Sequence, residues 1–168
     1  MGVSGVPVMS EKNFINTERD IGEWWRKQLQ EVMVVTGKEE KHLAEKRGDL
    51  HEGIPAITVA VDGGWSKRSH CHSYNANSGV GIIIGQANGK LLYIGVRNKY
   101  CTACTQGIPS EQHTWYKNWA ESSSQMEPDI ILAGFKQAEA VYGVRYIRFV
   151  GDGDSSVYPM LIQNVSGC

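Results

Sequence analysis

Apolar positions change their period along this chain, and the changes predict its elements. Between residues 18 and 35 they fall at Ile21, Trp24, Trp25, Leu29 and Val32. That i, i+3, i+4, i+8, i+11 spacing predicts an amphipathic helix. Thr17, followed by Glu18 and Asp20, suits its N-terminus, and Gly37 is expected to break it. Lys38 to Arg47 is charged around Leu43 and Ala44 and reads as a second, more solvated helix. The pair is expected to cover a sheet face. A DNA-reading pair is the lesser alternative, because its charges are mixed in sign. Residues 1–17 read as an irregular lead-in and residues 48–55 as a linker.

From Ile57 the pattern shortens. Ile57-Thr-Val-Ala-Val-Asp62 is an apolar, β-branched run ending on one acid, which predicts a strand. It is apolar on both parities, so burial on both faces and a central place in a sheet are expected. Gly79–Gly85 predicts a second strand and Lys90–Val96 a third, joined by a two-residue turn at Asn88-Gly89. Residues 100–121 read as a loop. Ser124-Gln-Met-Glu127 fits a capping box. Apolar Ile130, Ile131, Phe135, Ala138, Val141 and Tyr142 continue a helix that stops at Gly143. Val144–Val150 predicts a fourth strand, parallel to a neighbour because a helix leads back to it. A last helix is expected from Ser155 to about Asn164. The sum is an α/β fold: a mixed sheet of three antiparallel strands, a crossover helix and a parallel strand, behind an N-terminal helical extension.

Composition narrows the function classes only a little. The 168 residues suffice for one domain with a core. No run is long and apolar enough to span a membrane. The first residues match neither a secretory signal nor a myristoylation pattern. Four cysteines are too few for a disulfide scaffold, so an intracellular, reducing compartment is expected. The net charge of −1 argues weakly against nucleic-acid binding. Residues 51–168 carry nine basic and nine acidic side chains, however. If three of those acids held metal, the remaining surface would be mildly positive.

The acids are the candidate chemistry. Asp62 ends the first strand, Asp152 and Asp154 follow the fourth, and Glu127 lies in the first turn of the crossover helix. If the first and fourth strands are parallel neighbours, their C-terminal ends meet at one edge, where ligand crevices form in open α/β sheets. Several carboxylates there would repel one another without a cation. Two divalent ions about 4 Å apart would relieve that repulsion and serve phosphodiester chemistry. Oxygen-only ligands suit Mg²⁺ or Mn²⁺. Each acid also has a plain structural role open to it. Asp62 would cap the Gly63-Gly64 turn, Glu127 would close its capping box with Ser124, and Asp154 would cap the final helix.

Three further clusters stand out. Cys101-Thr-Ala-Cys104, with His113 nine residues on, is half a zinc site or a reduced pair packed in a loop. A redox pair is less expected, since the motif is not predicted to open a helix. Lys67, Arg68 and His70, directly after Asp62, would position phosphates or be ordinary solvated charges of a hairpin loop. Trp65 would stack on a base or fill the core. Trp115, Tyr116 and Trp119 are a stacking platform or packing beneath a long loop.

Taken together, Asp62-Gly-Gly-Trp-Ser-Lys-Arg-Ser-His70, Cys101-x-x-Cys104, Ser122-Ser-Ser-Gln-Met-Glu127 and Gly151-Asp-Gly-Asp-Ser-Ser156 resemble the Mutator-like transposase domain of animal mobile elements. The resemblance covers nearly the whole chain. It implies a ribonuclease H-like fold of the DDE transposase and integrase superfamily, with residues 1–50 as the helical extension and 51–168 as the catalytic core. It also implies nucleic acid as partner, DNA above all, a nuclear location and room for a homo-oligomer. Asp62, Glu127 and one of Asp152 and Asp154 are implied as ligands of two Mg²⁺ or Mn²⁺ ions. Asp152 lies nearer the strand end, whereas Asp154 has the better helix offset. The family follows its Cys-x-x-Cys with His-x-Cys, where this chain has His113-x-Trp115. Cys101, Cys104 and His113 then remain as ligands of a structural Zn²⁺, with Cys71, His70 or His72 as the fourth. The family also places a Glu on a later helix, and this chain ends at Cys168 without one. A C-terminally truncated core is the expectation. A silent nucleic-acid- or protein-binding module derived from such an enzyme is the alternative to a nuclease or strand-transferase, and a redox or zinc scaffold is the weakest reading.

Overall fold

The computed structural model describes residues 9–66, 76–113, 115–152 and 156–165. It opens on one helix, α1 (Glu11–Arg47), rather than two. The start is earlier than Thr17: Ser10 is the N-cap, and its Oγ accepts the Asn13 N–H at 3.4 Å. Gly48, at φ 75°, closes the far end. The break expected at Gly37 does not occur. A glycine inside a helix costs about 1 kcal/mol relative to Ala, but Gly37 lies flat on a ring. A Cβ there would stand 2.3 Å from Tyr142 Cδ1. Tertiary contact outweighs propensity at this position. Only the C-terminal part of α1 is docked. Thr36, Gly37, Glu40 and Ala44 are buried, whereas every residue from Glu11 to Lys27 except half-buried Asn16 is exposed.

The expected linker is a hairpin. β1 (Leu50–His51) pairs antiparallel with the start of β2 (Ile54–Trp65). The loop residues Glu52 and Gly53 both have positive φ, 51° and 81°. Two such residues match the twist of paired strands, and the Glu52 carboxylate is held by Arg145. β3 (Ser78–Gly85) and β4 (Leu91–Asn98) extend the sheet antiparallel from β2. Their connection is longer than the two-residue turn expected. The Gly85 N–H donates to the Lys90 carbonyl at 2.9 Å. Glu40 explains the difference: its Oε1, buried, accepts the Ala87 and Asn88 N–H groups at 3.0 and 2.9 Å. The helix thereby satisfies donors that a tighter turn would have paired itself.

After a short helix, α2 (Thr102–Thr105), and two single 3₁₀ turns comes α3 (Met126–Tyr142), then β5 (Arg145–Val150) and α4 (Val157–Asn164). The molecule is thus a mixed α/β fold. β5 lies beside β2 and parallel to it, from Ala56 opposite Arg145 to Ala60 opposite Val150. Ile57, Val59, Val61, Ile83, Ile131, Phe135, Tyr142 and Leu161 share one core. β2 is not buried on both faces, as its composition suggested. Thr58 and Ala60 are half-buried and Asp62 is exposed, so the strand alternates.

The capping box does not form. Ser123–Gln125 makes a 3₁₀ turn, and Gln125 caps α3 with no side-chain hydrogen bond. Ser124 Oγ bonds Ser122 Oγ at 3.0 Å, and Ser123 Oγ donates to the Ala76 carbonyl. Glu127 is therefore available for other work.

A row of glycines sets how close α3 comes to the sheet. Gly63, Gly81 and Gly95 are register partners across β2, β3 and β4. A Cβ at Gly81 or Gly95 would stand 2.8 or 2.6 Å from Ile130 Cγ2. At Gly63 it would stand 2.5 Å from Glu127 Cδ. Three missing methyl groups let the first turns of α3 settle onto the sheet.

Candidate functional site

Two strand ends and one helix start meet at one edge of the fold. β2 carries Asp62 there, exposed, with its Oδ1 accepting the Gly63 N–H at 2.8 Å. β5 runs parallel beside it and continues into Gly151 and Asp152. A Cβ on Gly151 would lie 3.1 Å from Val61 Cγ2, so the chain leaves β5 tight against β2 and keeps Asp152 near Asp62. α3 brings Glu127 down over Gly63.

Glu127 feels both aspartates. Burial raises its pKa above the usual carboxylate value, and the charges of Asp152 and then Asp62 raise it further. Asp129, in the same first turn, is the contrast: Arg97 from β4 donates its Nε to Asp129 Oδ2 at 2.7 Å. Among the described residues no Lys or Arg is ion-paired with Asp62, Glu127 or Asp152. The edge thus holds three acids of like charge and no counter-ion among the described residues. Their oxygens do not close up as metal ligands do. Among the described residues only Cys101, Cys104 and His113 bring three ligand atoms within 4.8 Å of one another.

That second cluster stands on the connection after β4. Contrary to the sequence expectation, Cys101 does open a helix: it is the N-cap of the four-residue α2. Its Sγ is buried, and backbone N–H groups of Cys104 and Tyr116 lower its pKa to about 6. The neighbouring thiolate in turn raises the Cys104 pKa. His113 Nε2 lies 3.4 and 3.2 Å from the Cys101 and Cys104 sulfurs. Its Nδ1 is 2.9 Å from the Pro109 carbonyl. That carbonyl can only accept, so Nδ1 carries a proton, and Nε2 is the nitrogen that faces the sulfurs. A thiolate, a thiol and an oriented imidazole are a donor set that suits Zn²⁺.

The remaining expected residues divide. Trp65 ends β2 half-buried, and a Cβ on Gly79 would touch its ring at 3.2 Å. With Val80 and Val96 it lines an open cavity of about 310 Å³ next to the acidic edge. Trp115 and Tyr116 are exposed rather than packed beneath the loop, while Trp119 donates its indole N–H to the Ser122 carbonyl at 2.9 Å. Lys67, Arg68, His70, Cys71, His72 and Asp154 lie outside the described residues. The turn expected at Gly63-Gly64 does not form, since β2 runs through both residues to Trp65. A glycine directly after an acid inside a strand was the available signal, because such glycines mark close approach.

Comparison with known proteins supplies one match. A family model described as Mutator-like transposase matches residues 1–166. No curated protein and no solved structure matches.

Proposed function

This chain belongs to the Mutator-like transposase family, and from that premise we propose that it carries out divalent-metal-dependent phosphodiester chemistry on DNA, by hydrolysis or strand transfer, on a ribonuclease H-like core. The observation that carries the reading is the placement of Glu127 over Gly63, beside Asp62, with β5 leading Asp152 to the same edge and no ion-paired Lys or Arg on these acids among the described residues. Asp62, Glu127 and Asp152 would hold two Mg²⁺ or Mn²⁺ ions, with Asp154 the alternative to Asp152. When bound, such ions supply an activated water and neutralise charge on the leaving oxygen of a phosphodiester. Trp65 offers a stacking face beside that edge, and Lys67, Arg68 and His70 directly follow it in the chain. The antiparallel β2–β3–β4 run with β5 parallel to β2 supports the ribonuclease H-like assignment.

Cleavage of labelled DNA, RNA and RNA–DNA hybrid in Mn²⁺, abolished by EDTA and by Asp62→Asn, is the expected result. Cleavage that survives Asp62→Asn would remove the acids from the mechanism. A silent nucleic-acid-binding module is the second reading, favoured by the open spacing of the three carboxylates. Binding with no cleavage in any metal would select it.

A pH dependence follows from Glu127. Its pKa in the fold lies above the ordinary carboxylate value of 4.5. Folding therefore tolerates the neutral acid and loses stability as rising pH ionises it in the fold. A cation opposes that loss. The gain in Tm on adding Mn²⁺ should be negligible near about pH 4 and grow toward neutrality. A gain independent of pH, or one retained in Glu127→Gln, would place the metal elsewhere.

Cys101, Cys104 and His113 would hold a structural zinc ion. Elemental analysis of the purified chain should find about one zinc per molecule, lost in Cys104→Ser together with several degrees of Tm. Zinc-free protein with unchanged Tm would leave a reduced cysteine pair.

A further inference from the structure

The exposed half of α1 carries an unpartnered seam. Phe14, Ile21, Trp25, Val32 and Val35 are 51–62% exposed. With Glu18 and Gln28 they follow one another at alternating four- and three-residue steps. That is the a/d seam of a coiled coil, held over three heptads. Trp24 flanks it, edge-on to Trp25 at 5.1 Å between ring centroids. The seam ends at Val35, where the buried stretch of α1 begins at Thr36.

The seam is complementary to itself when reversed. In the antiparallel register that sets Ile21 against Trp25 of a second copy, Phe14 meets Val32 and Glu18 meets Gln28. Four of the five apolar positions meet apolar ones and the two polar positions meet each other, while Val35 falls opposite Glu11 at the end of the seam. Charge agrees with this direction. Residues 11–22 carry a net −1 and residues 24–35 a net +1, and reversal lays one against the other. A parallel pair would instead set Glu18 against Glu18 in the middle of the seam, which costs stability. With two tryptophans and a phenylalanine per chain, the contact would cover on the order of 600 Å² on each helix, close to the ~800 Å² per partner of a standard interface.

We propose that α1 is a dimerisation helix, pairing antiparallel along this seam with α1 of a second copy of the chain. The inference does not depend on the chemistry of the acids. Sedimentation equilibrium of the full chain at micromolar concentration should show a dimer. Trp25→Glu should weaken dimerisation by at least ~10-fold. Trp25 is exposed, so an unchanged circular dichroism melt of the domain is expected and keeps the result interpretable. Replacing both polar seam residues, Glu18→Leu with Gln28→Leu, should tighten the dimer.

Lysine cross-linking reads the direction. Lys12 and Lys38 lie about 39 Å apart along one helix, too far to link within a chain, but become neighbours across the antiparallel pair. Their linkage, found by mass spectrometry in the dimer and absent from the monomer, is the expected product. A monomer at all concentrations, a dimer indifferent to Trp25→Glu, or a Lys12–Lys12 link without Lys12–Lys38 would each overturn the proposal.

Discussion

Gly63→Ala should lose about two orders of magnitude in metal-dependent cleavage while the domain stays folded. The added methyl would sit 2.5 Å from Glu127 Cδ and 2.7 Å from its Oε2. Those atoms are the far end of a flexible side chain, so Glu127 can swing aside at little cost to stability. The new position is the wrong one, however. A displacement near 1 Å of a group that orients the reacting atoms costs on the order of 10²-fold. Glu127→Gln is the reference: if the glycine acts only through Glu127, combining the two changes adds little to either. The Mn²⁺-induced gain in Tm gives a second readout and should fall in the same order. A Gly63→Ala protein with full cleavage and full Mn²⁺ response would show that Glu127 has no work at this edge. A protein that melts early would show instead that the methyl strains the sheet.

The second large effect reverses a familiar rule. Glycine to alanine inside a helix normally stabilises by roughly 0.5–1 kcal/mol. Gly22 should obey, since a Cβ there meets nothing within 4 Å. Gly37 should not. Its Cβ would meet Tyr142 Cδ1, Cγ and Cβ at 2.3, 2.6 and 3.0 Å. Cβ belongs to the stem of the side chain, and the Tyr142 hydroxyl is tied to the Leu92 carbonyl in the core, so the ring has little room to turn. Overpacking of this kind costs about 1–3 kcal/mol, enough to outweigh the propensity gain. Urea denaturation should place Gly22→Ala above the parent chain and Gly37→Ala below it. Should both be stabilising, α1 is held to the body by something other than the Gly37–Tyr142 contact.

These glycines also mark where the sequence was readable and where it was not. The strand at Ile57–Asp62, the helix ending at Gly143 and the parallel strand after it were legible. Their signals are local: a β-branched run, a 3.6-residue period, a left-handed stop at φ 64°. Asp62 was read as the end of its strand, whereas β2 runs on through Gly63 and Gly64 to Trp65. Gly37 misled because its reason for being glycine is Tyr142, far along the chain. Asn88-Gly89 misled because Glu40 takes up the Ala87 and Asn88 amides, leaving only the Gly89 N–H to bond back to the Gly85 carbonyl. The Ser124–Glu127 spacing matched a capping box, yet a 3₁₀ turn took its place. In each case a local pattern competed with a partner that the sequence does not place nearby. Gly63 belongs with them: its close contact is with a helix begun long after the strand has ended.

The placement of the tryptophans has an optical consequence. Of the five, Trp24, Trp25 and Trp115 are exposed, while Trp65 and Trp119 are half-buried; none belongs to the core. On melting of the core, intrinsic fluorescence will therefore report chiefly Trp65 and Trp119. It will respond to whatever covers the surface: Trp24 and Trp25 to association of the helix, Trp65 to occupancy of the groove beside the acids. Under conditions where the fold is intact, the emission spectrum then serves as a gauge of assembly and of occupancy of that groove.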